Sequence, residues 1–303
     1  MLALGIIVTN YNTRDLLCAC LRSVYASVPC EGGEDFTYEV CVVDNASSDG
    51  SADMVTAEFP AARLIANKEN VGYPQGNNIG LRAFGFGDAD GPTPSFVLLL
   101  NPDTEVPSDG LARMLRFMAE HPDAGVVGPK LLLPDGSLDK ACRRGFPSPA
   151  VSFYRFTGLS HLFPRSRRFG RYNMTFLDPE QVAEVDSVVG AFMLVRAEAI
   201  QQAGLMDGQF FMYGEDLDWA YRIKAKGWKV YYNPEVTVLH VKRAASRHSP
   251  RAQIEFFRAM DLFYRKHYAA QTPRWLHGLI VGTIALRWRL EMLRQSVFPA
   301  GGG

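Results

Sequence analysis

Leu4-Gly5-Ile6-Ile7-Val8-Thr9-Asn10-Tyr11-Asn12-Thr13-Arg14 is the stretch on which the fold turns. A short apolar run, Leu4 to Thr9, ends at Asn10 and gives way to a polar turn. Thr13 to Ala26 then carries Leu16, Leu17, Leu21 and Val24 at helical spacing, so the segment reads as strand, turn, helix. That turn holds no glycine. A dinucleotide-binding fold needs Gly-x-Gly-x-x-Gly there, which disfavours dinucleotide and methyl-donor enzymes. A nucleotidyltransferase needs a glycine-rich loop at the same place and is disfavoured likewise. Met1 to Val8 has no basic n-region and no cleavage site, so it is taken as the first strand rather than a signal peptide.

Outward from this unit the pattern repeats. Tyr38 to Val43 is a second strand ending at Asp44-Asn45, and Ser47 or Ser48 is expected to cap a helix reaching Phe59. Ala62 to Ala66 is a third strand, and Pro74 suits the first turn of a helix running to Phe84. Phe96 to Leu100 is a fourth, ending at Asn101-Pro102-Asp103. Ser108 is expected to cap a helix to His121, and Val126-Val127 opens a fifth strand. Alternating, nearly all-apolar strands predict an α/β fold, a mostly parallel sheet covered by helices on both faces. Ligands bind such sheets at the carboxyl ends of the strands. The polar residues fall there: Thr9, Asn10, Asn12, Asp44, Asn45, Asn70, Gly72 and Asp103.

Further along, Val185 to Val195 has strand character interrupted by Gly190-Ala191, and two short strands are expected at Trp228–Tyr232 and Val236–His240. Between them lies Phe210-Phe211-Met212-Tyr213-Gly214-Glu215-Asp216-Leu217-Asp218-Trp219-Ala220-Tyr221-Arg222. Gly214 gives a turn, and Glu215 to Lys226 reads as a helix with acids first and bases last, as the helix dipole prefers. Three carboxylates among aromatics are either a solvated helix start or one wall of a cleft. Ile254 to His267 is an aromatic-rich helix, and after Pro273 a helix from Trp275 to Phe298 sets apolar residues against Arg287, Arg289 and Arg294. It reads as interfacial; a packed C-terminal helix and a homodimer helix are the alternatives.

Composition narrows the class. With 303 residues, 47% hydrophobic and 21% charged, the chain buries a real core, and a net charge of zero argues against a nucleic-acid-coating protein. Five cysteines without framework spacing read as reduced thiols. No run reaches the roughly 18 apolar residues of a membrane span. Lys140 to Arg171 is exceptional: eight Lys or Arg, no Asp or Glu, and interleaved aromatics such as Phe153, Tyr154, Phe163 and Phe169. Such a segment suits an anionic membrane surface or an acceptor, with RNA and a plain basic loop near an anionic ligand as competitors.

Six motifs occur in order: Val8-Thr9-Asn10-Tyr11-Asn12, Val42 to Gly50, Asn70-Val71-Gly72-Tyr73, Leu100-Asn101-Pro102-Asp103-Thr104, Gly190-Ala191-Phe192-Met193 and Tyr213 to Trp219. Together they resemble family 2 glycosyltransferases of the GT-A fold, in a rhamnosyltransferase-like branch, over residues 3 to 242. The resemblance implies a GT-A domain at 1–242, with the basic aromatic insertion at 140–171, and a helical region at 243–303. It implies that Thr9, Asn10, Asn12, Asp44, Asn45, Asn70, Gly72, Asn101, Gly190 and Ala191 bind the donor, Asp44 accepting the base imide N–H. Asp103 matches the last acid of the family's Asp-x-Asp motif, and His240 is a second candidate ligand for Mg²⁺ or Mn²⁺. Asn101 replaces the first acid, which weakens the metal set. Asp216 is implied as the general base, with Glu215, Asp218, Trp219 and Arg222 orienting it or the acceptor.

The reaction implied is inverting transfer of a sugar, L-rhamnose from its deoxythymidine diphosphate in the first instance, to a saccharide acceptor. The basic segment and last helix suggest that this acceptor is polyprenyl-diphosphate-linked, on the cytoplasmic face of a membrane. A UDP-hexose donor and a binding module without transfer activity are the alternatives. Gln271-Thr272-Pro273-Arg274-Trp275 has the letters of the processive Gln-x-x-Arg-Trp signature. With no membrane spans and Pro273 breaking the helix, that match is set aside.

Overall fold

The computed structural model describes residues 3–29, 36–87, 93–242 and 250–297. Met1, Leu2, Cys30, the expected domain division after 242, Phe298 and Gly301 to Gly303 fall wholly or partly outside them. The chain runs β1 (Leu4–Asn10), α1 (Arg14–Tyr25), β2 (Tyr38–Asp44), α2 (Ser51–Glu58), β3 (Arg63–Ala66), α3 (Tyr73–Ala83), β4 (Phe96–Leu100), β5 (Thr104–Glu105), α4 (Gly110–Glu120) and β6 (Ala124–Leu132). It continues with α5 (Pro149–Phe156), α6 (Leu159–Leu162), β7 (Ala183–Val185), β8 (Phe192–Arg196), α7 (Ala197–Ala203), α8 (Glu215–Lys224), β9 (Lys229–His240), α9 (Pro250–His267) and α10 (Arg274–Val297).

The strands form one sheet ordered β3-β2-β1-β4-β8-β6-β9-β5, with β7 also on β9. The first four are parallel neighbours. β8 runs antiparallel between β4 and β6, and β9 is parallel to β6. The sheet is therefore mostly parallel, as expected, with helices around it. All seven residues of β1 are buried. Strands covered on both faces have no solvent side to make polar, which is why β1, β2 and β4 read as continuous apolar runs. From α1, Leu17, Cys20, Leu21 and Val24 pack on them, and from α4, Leu111, Met114, Phe117 and Met118.

Several local expectations give way. Ser47 and Ser48 cap nothing: α2 starts at Ser51 after Gly50, whose φ of 81° suits only glycine readily. Asp49 instead accepts from the Ser51 N–H and hydroxyl at 3.1 and 2.5 Å. Ser108 is likewise not a cap, since α4 begins at Gly110. Val185 to Val195 splits into β7 and β8, which pair with different strands. The two short strands expected after Trp228 are one long β9, offset against β6 between Pro129 and Lys130. β5 is too short to announce itself and exists because β9 supplies its partner.

Candidate active site

The strand ends line up in register, Asn10 beside Asp44 and Asp44 beside Ala66. There the polar groups satisfy one another. Asn10 Nδ2 donates to Asp44 Oδ1 at 2.8 Å and to Ser47 Oγ at 3.1 Å. The Ser47 hydroxyl and N–H donate to Asp44 Oδ1 and Oδ2 at 2.6 and 2.9 Å. Ser47 Oγ in turn accepts from the Asn12 N–H at 2.9 Å. Asn45 donates to the Gly72 carbonyl at 3.2 Å, and Asn70 Oδ1 accepts from the Gly72 N–H at 3.0 Å. Gly72 has φ 85°, and a Cβ there would lie 2.6 Å from the Phe211 carbonyl oxygen. Thr9 joins the row with its hydroxyl buried and without a hydrogen-bond partner. The structure thus gathers Thr9, Asn10, Asn12, Asp44, Asn45, Asn70 and Gly72 at one sheet edge.

The start of α8 is built differently. Tyr213 and Gly214 both take left-handed backbone, φ 70° and 80°, which strains Tyr213, the non-glycine of the two. Asp216 is buried and both its oxygens are engaged. Arg144 Nη2 donates to Oδ2 at 2.6 Å, the Gly190 N–H donates to Oδ2 at 3.1 Å, and the Leu217 N–H to Oδ1 at 2.7 Å. Arg144 also donates to the Val188 carbonyl at 2.8 Å. Beside this pair, Glu215 is buried with Oε2 unpartnered. Burial, and then the neighbouring Asp216 charge, push its carboxyl up to about 8.

Asp218 faces away from that pair. It takes Arg222 Nε at 2.9 Å on one oxygen, and His267 Nε2 and Lys266 Nζ, each at 2.8 Å, on the other. Burial would raise its carboxyl, but these donors outweigh it and hold it at about 2. Trp219 is fully buried and donates to the Gly204 carbonyl at 2.8 Å. Arg222 also donates to the Ala203 and Leu205 carbonyls, at 2.5 and 2.9 Å. None of the three lines the cleft described below; they fasten α8 to the end of α7 and to α9.

Asp103 follows β4, and β9 brings His240 beside it, Nε2 to Oδ1 at 3.4 Å. Asp139 accepts from His240 Nδ1 at 2.9 Å and from Lys242 Nζ at 2.6 Å. A carboxylate on Nδ1 leaves Nε2 to face Asp103, the arrangement of a metal-binding histidine. Burial would lower the His240 pKa, but its contacts with Asp103 and Asp139 outweigh that and raise it. Asn101 Oδ1 is buried with no hydrogen-bond partner, and buried Asp103 Oδ1 has only the long contact with the His240 ring. Two such oxygens and one imidazole fit part of the shell of a hard divalent cation. Among the described residues no group of three or more His, Cys, Asp or Glu forms a metal cage, so the protein's share is a partial set.

Between these walls lies a cleft of about 1390 Å³. Asn101, Asp103, Gly190, Ala191, Glu215, Asp216 and His240 line it, whereas the row from Thr9 to Gly72 stands outside its lining. Arg144, Asp139 and Lys242 also line it and were not singled out in the sequence. Arg144 sits within a basic run, where nothing marks one arginine as buried. The only signal was the need of a buried aspartate for a cation. Residues of α5, α6, α9 and α10 complete the walls, so the C-terminal helices belong to the site.

A family model described as glycosyltransferase like family 2 matches residues 3–258. Over 262 residues, 85% of this chain and 84% of its relative, the sequence is 29% identical to the N-acetylglucosaminyl-diphospho-decaprenol L-rhamnosyltransferase of Mycobacterium tuberculosis. It is 23% identical over 303 residues, 98% of this chain and 88% of the other, to a low-salt glycan biosynthesis hexosyltransferase, Agl10, of Haloferax volcanii. Among solved structures, the mannosyltransferase PcManGT of Pyrobaculum calidifontis, in complex with GDP-Man and Mn²⁺, superposes with a TM-score of 0.56 at 17% identity, covering 99% of this chain and 76% of that one. GalNAc-T7 with UDP, GalNAc and Mn²⁺ gives 0.59 at 15% identity, covering 99% and 58%. These likenesses make the fold GT-A. With the family model spanning most of its length, the chain belongs to the glycosyltransferase-like family 2.

Proposed function

We propose that the protein moves L-rhamnose from deoxythymidine-diphosphate-L-rhamnose to a saccharide carried on a polyprenyl diphosphate, with inversion at the anomeric carbon. The named activity of the M. tuberculosis relative supports the sugar moved and the acceptor class. The observation that carries the chemistry is the buried, unpartnered Glu215 oxygen in the cleft. The row Thr9, Asn10, Asn12, Asp44, Asn45, Asn70 and Gly72 holds the nucleoside. Asp103 and His240, with Asn101 Oδ1, would hold Mg²⁺ or Mn²⁺. That cation, when bound, neutralises charge developing on the nucleoside diphosphate leaving group.

The acceptor hydroxyl needs a base on the face opposite the leaving group. Resemblance gives that task to Asp216, but a proton on Asp216 would undo its pairing with Arg144. We assign the proton to Glu215, whose raised pKa suits a base working near neutrality. Asp216 then holds Arg144 and the Gly190 backbone in place. One displacement with no covalent intermediate inverts the anomeric centre. The test is a panel of nucleotide sugars with Mg²⁺ or Mn²⁺, read first by thermal stabilisation and then by transfer to a lipid-linked acceptor. Stabilisation by the rhamnose donor followed by transfer is the expected result. Stabilisation only by UDP-hexoses removes the donor assignment. Stabilisation without transfer or donor hydrolysis reduces the protein to a binding module.

A further inference from the structure

The outer face of α10 is bare. Trp275, Leu279, Leu286 and Leu290 follow one another at steps of four, seven and four residues, which keeps them on one side of the helix. They are 73%, 60%, 58% and 55% exposed. Arg289 shares that side, exposed. Glu291, the acid of this helix, lies on the opposite side and lines the cleft. A row of large apolar groups in water marks an interaction surface.

The neighbouring element has the same character. The Arg287 guanidinium stands 5.1 Å from the centre of the Phe156 ring, placing α10 against α5. Across α5 and α6 and the segment after them, Phe153, Leu162 and Phe163 are exposed, and so are Arg165, Arg167 and Arg168. No Asp or Glu occurs from 140 to 171. These elements also wall the cleft: Phe156, Ser160 and Glu291 line it together with Glu215 and Asp216.

We propose that α10 and the α5–α6 segment together dock on an anionic lipid bilayer, lying in its interface with the cleft open toward it. Positive charge without acids, beside apolar side chains, is complementary to such a surface. A second copy is the poorer occupant, because a two-fold contact would set these arginines against their own kind. Among the described residues no helix is long and apolar enough to cross a membrane, so α10 would lie along the surface rather than through it. This deepens the proposed transfer by saying from where a lipid-linked acceptor enters. Vesicle binding needs no turnover, so either reading can fail without the other.

The full chain is mixed with vesicles of phosphatidylcholine alone, or with phosphatidylglycerol added, and the bound fraction is read by flotation. Binding to the anionic vesicles is expected. Arg165→Gln and Arg289→Gln should each lower it by about fivefold. Leu279→Glu combined with Leu286→Glu should abolish it, at an unchanged melting temperature because both side chains are exposed. No binding, or equal binding to neutral vesicles, overturns the proposal. So does a dimer that the leucine variant dissociates while vesicles are ignored. Anionic vesicle binding without any sugar transfer leaves the docking surface standing and removes the transferase reading.

Discussion

At the ends of β1 and β2, Asn10, Asp44 and Ser47 close a small circuit of hydrogen bonds among residues brought side by side by parallel pairing. At the start of α8, Asp216 draws its cation from Arg144, 72 positions away, and Glu215 is left with an oxygen that nothing satisfies. Both regions are polar and buried, yet one is complete in itself and the other holds its groups in tension. A self-satisfied circuit fixes shape and suits recognition. A buried carboxyl kept partly neutral is what proton transfer needs. On the proposed reading, the difference separates a place that holds the donor from a place that moves the proton.

The sharpest way to break this contrast is Glu215→Gln. Loss of the base should lower kcat by about 10²- to 10⁴-fold while the melting temperature holds, since a neutral amide replaces a carboxyl that burial already disfavours as an anion. In the parent enzyme, kcat should rise with pH and level off above about 8, where Glu215 is ionised. A profile flat from pH 6 to 9 would remove Glu215 from that role. Linkage gives the matching sign for stability. The folded-state pKa is raised, so the contribution of Glu215 is fully present below about 4.5 and is lost as pH climbs toward 8.

Asp216→Asn or Arg144→Met should act on folding first. Each leaves a buried charge alone and should cost about 3–5 kcal/mol in denaturant unfolding. The double variant should regain part of that loss, giving a coupling energy for the pair. An Asp216→Asn protein of full stability and no activity would return the base to Asp216.

On the quieter side, Asp44→Asn turns an amide toward donors that now meet oxygens, a cost of about 1–3 kcal/mol. Its functional effect should appear in donor binding rather than in kcat. Asp218 should show itself in acid. Its pKa is depressed, so its stabilisation is present above about 3.8 and is lost as pH falls toward about 2, roughly 2 kcal/mol in acid unfolding. Asp218→Asn should flatten that limb.

Legibility follows the same division. The strand-end row could be read because each residue sits directly after an apolar strand whose period and length are local properties. Asp103, Glu215 and Asp216 stood out as acids at element ends. Arg144 did not, because its partner is chosen by an insertion folding back across the cleft. Nor did the reversed direction of β8: Phe192 to Val195 reads the same whichever way its neighbours run. Asp218, Trp219 and Arg222 shared a motif with Glu215 and Asp216 but face the other side of α8, a distinction the helical turn makes and the letters do not.

β9 offers a last consequence. From Val230 it runs beside β6 in one register to Asn233, resumes in another at Thr237, and ends with His240 opposite Thr104. The strand is thus a ruler whose far mark is an imidazole, with the offset absorbed at Pro234-Glu235-Val236. Side chains alternate along it, so one residue gained or lost beyond the offset would turn His240 to the other face. Length changes can accumulate before Thr237, where the offset absorbs them. From Thr237 to His240 the spacing is under the strictest constraint.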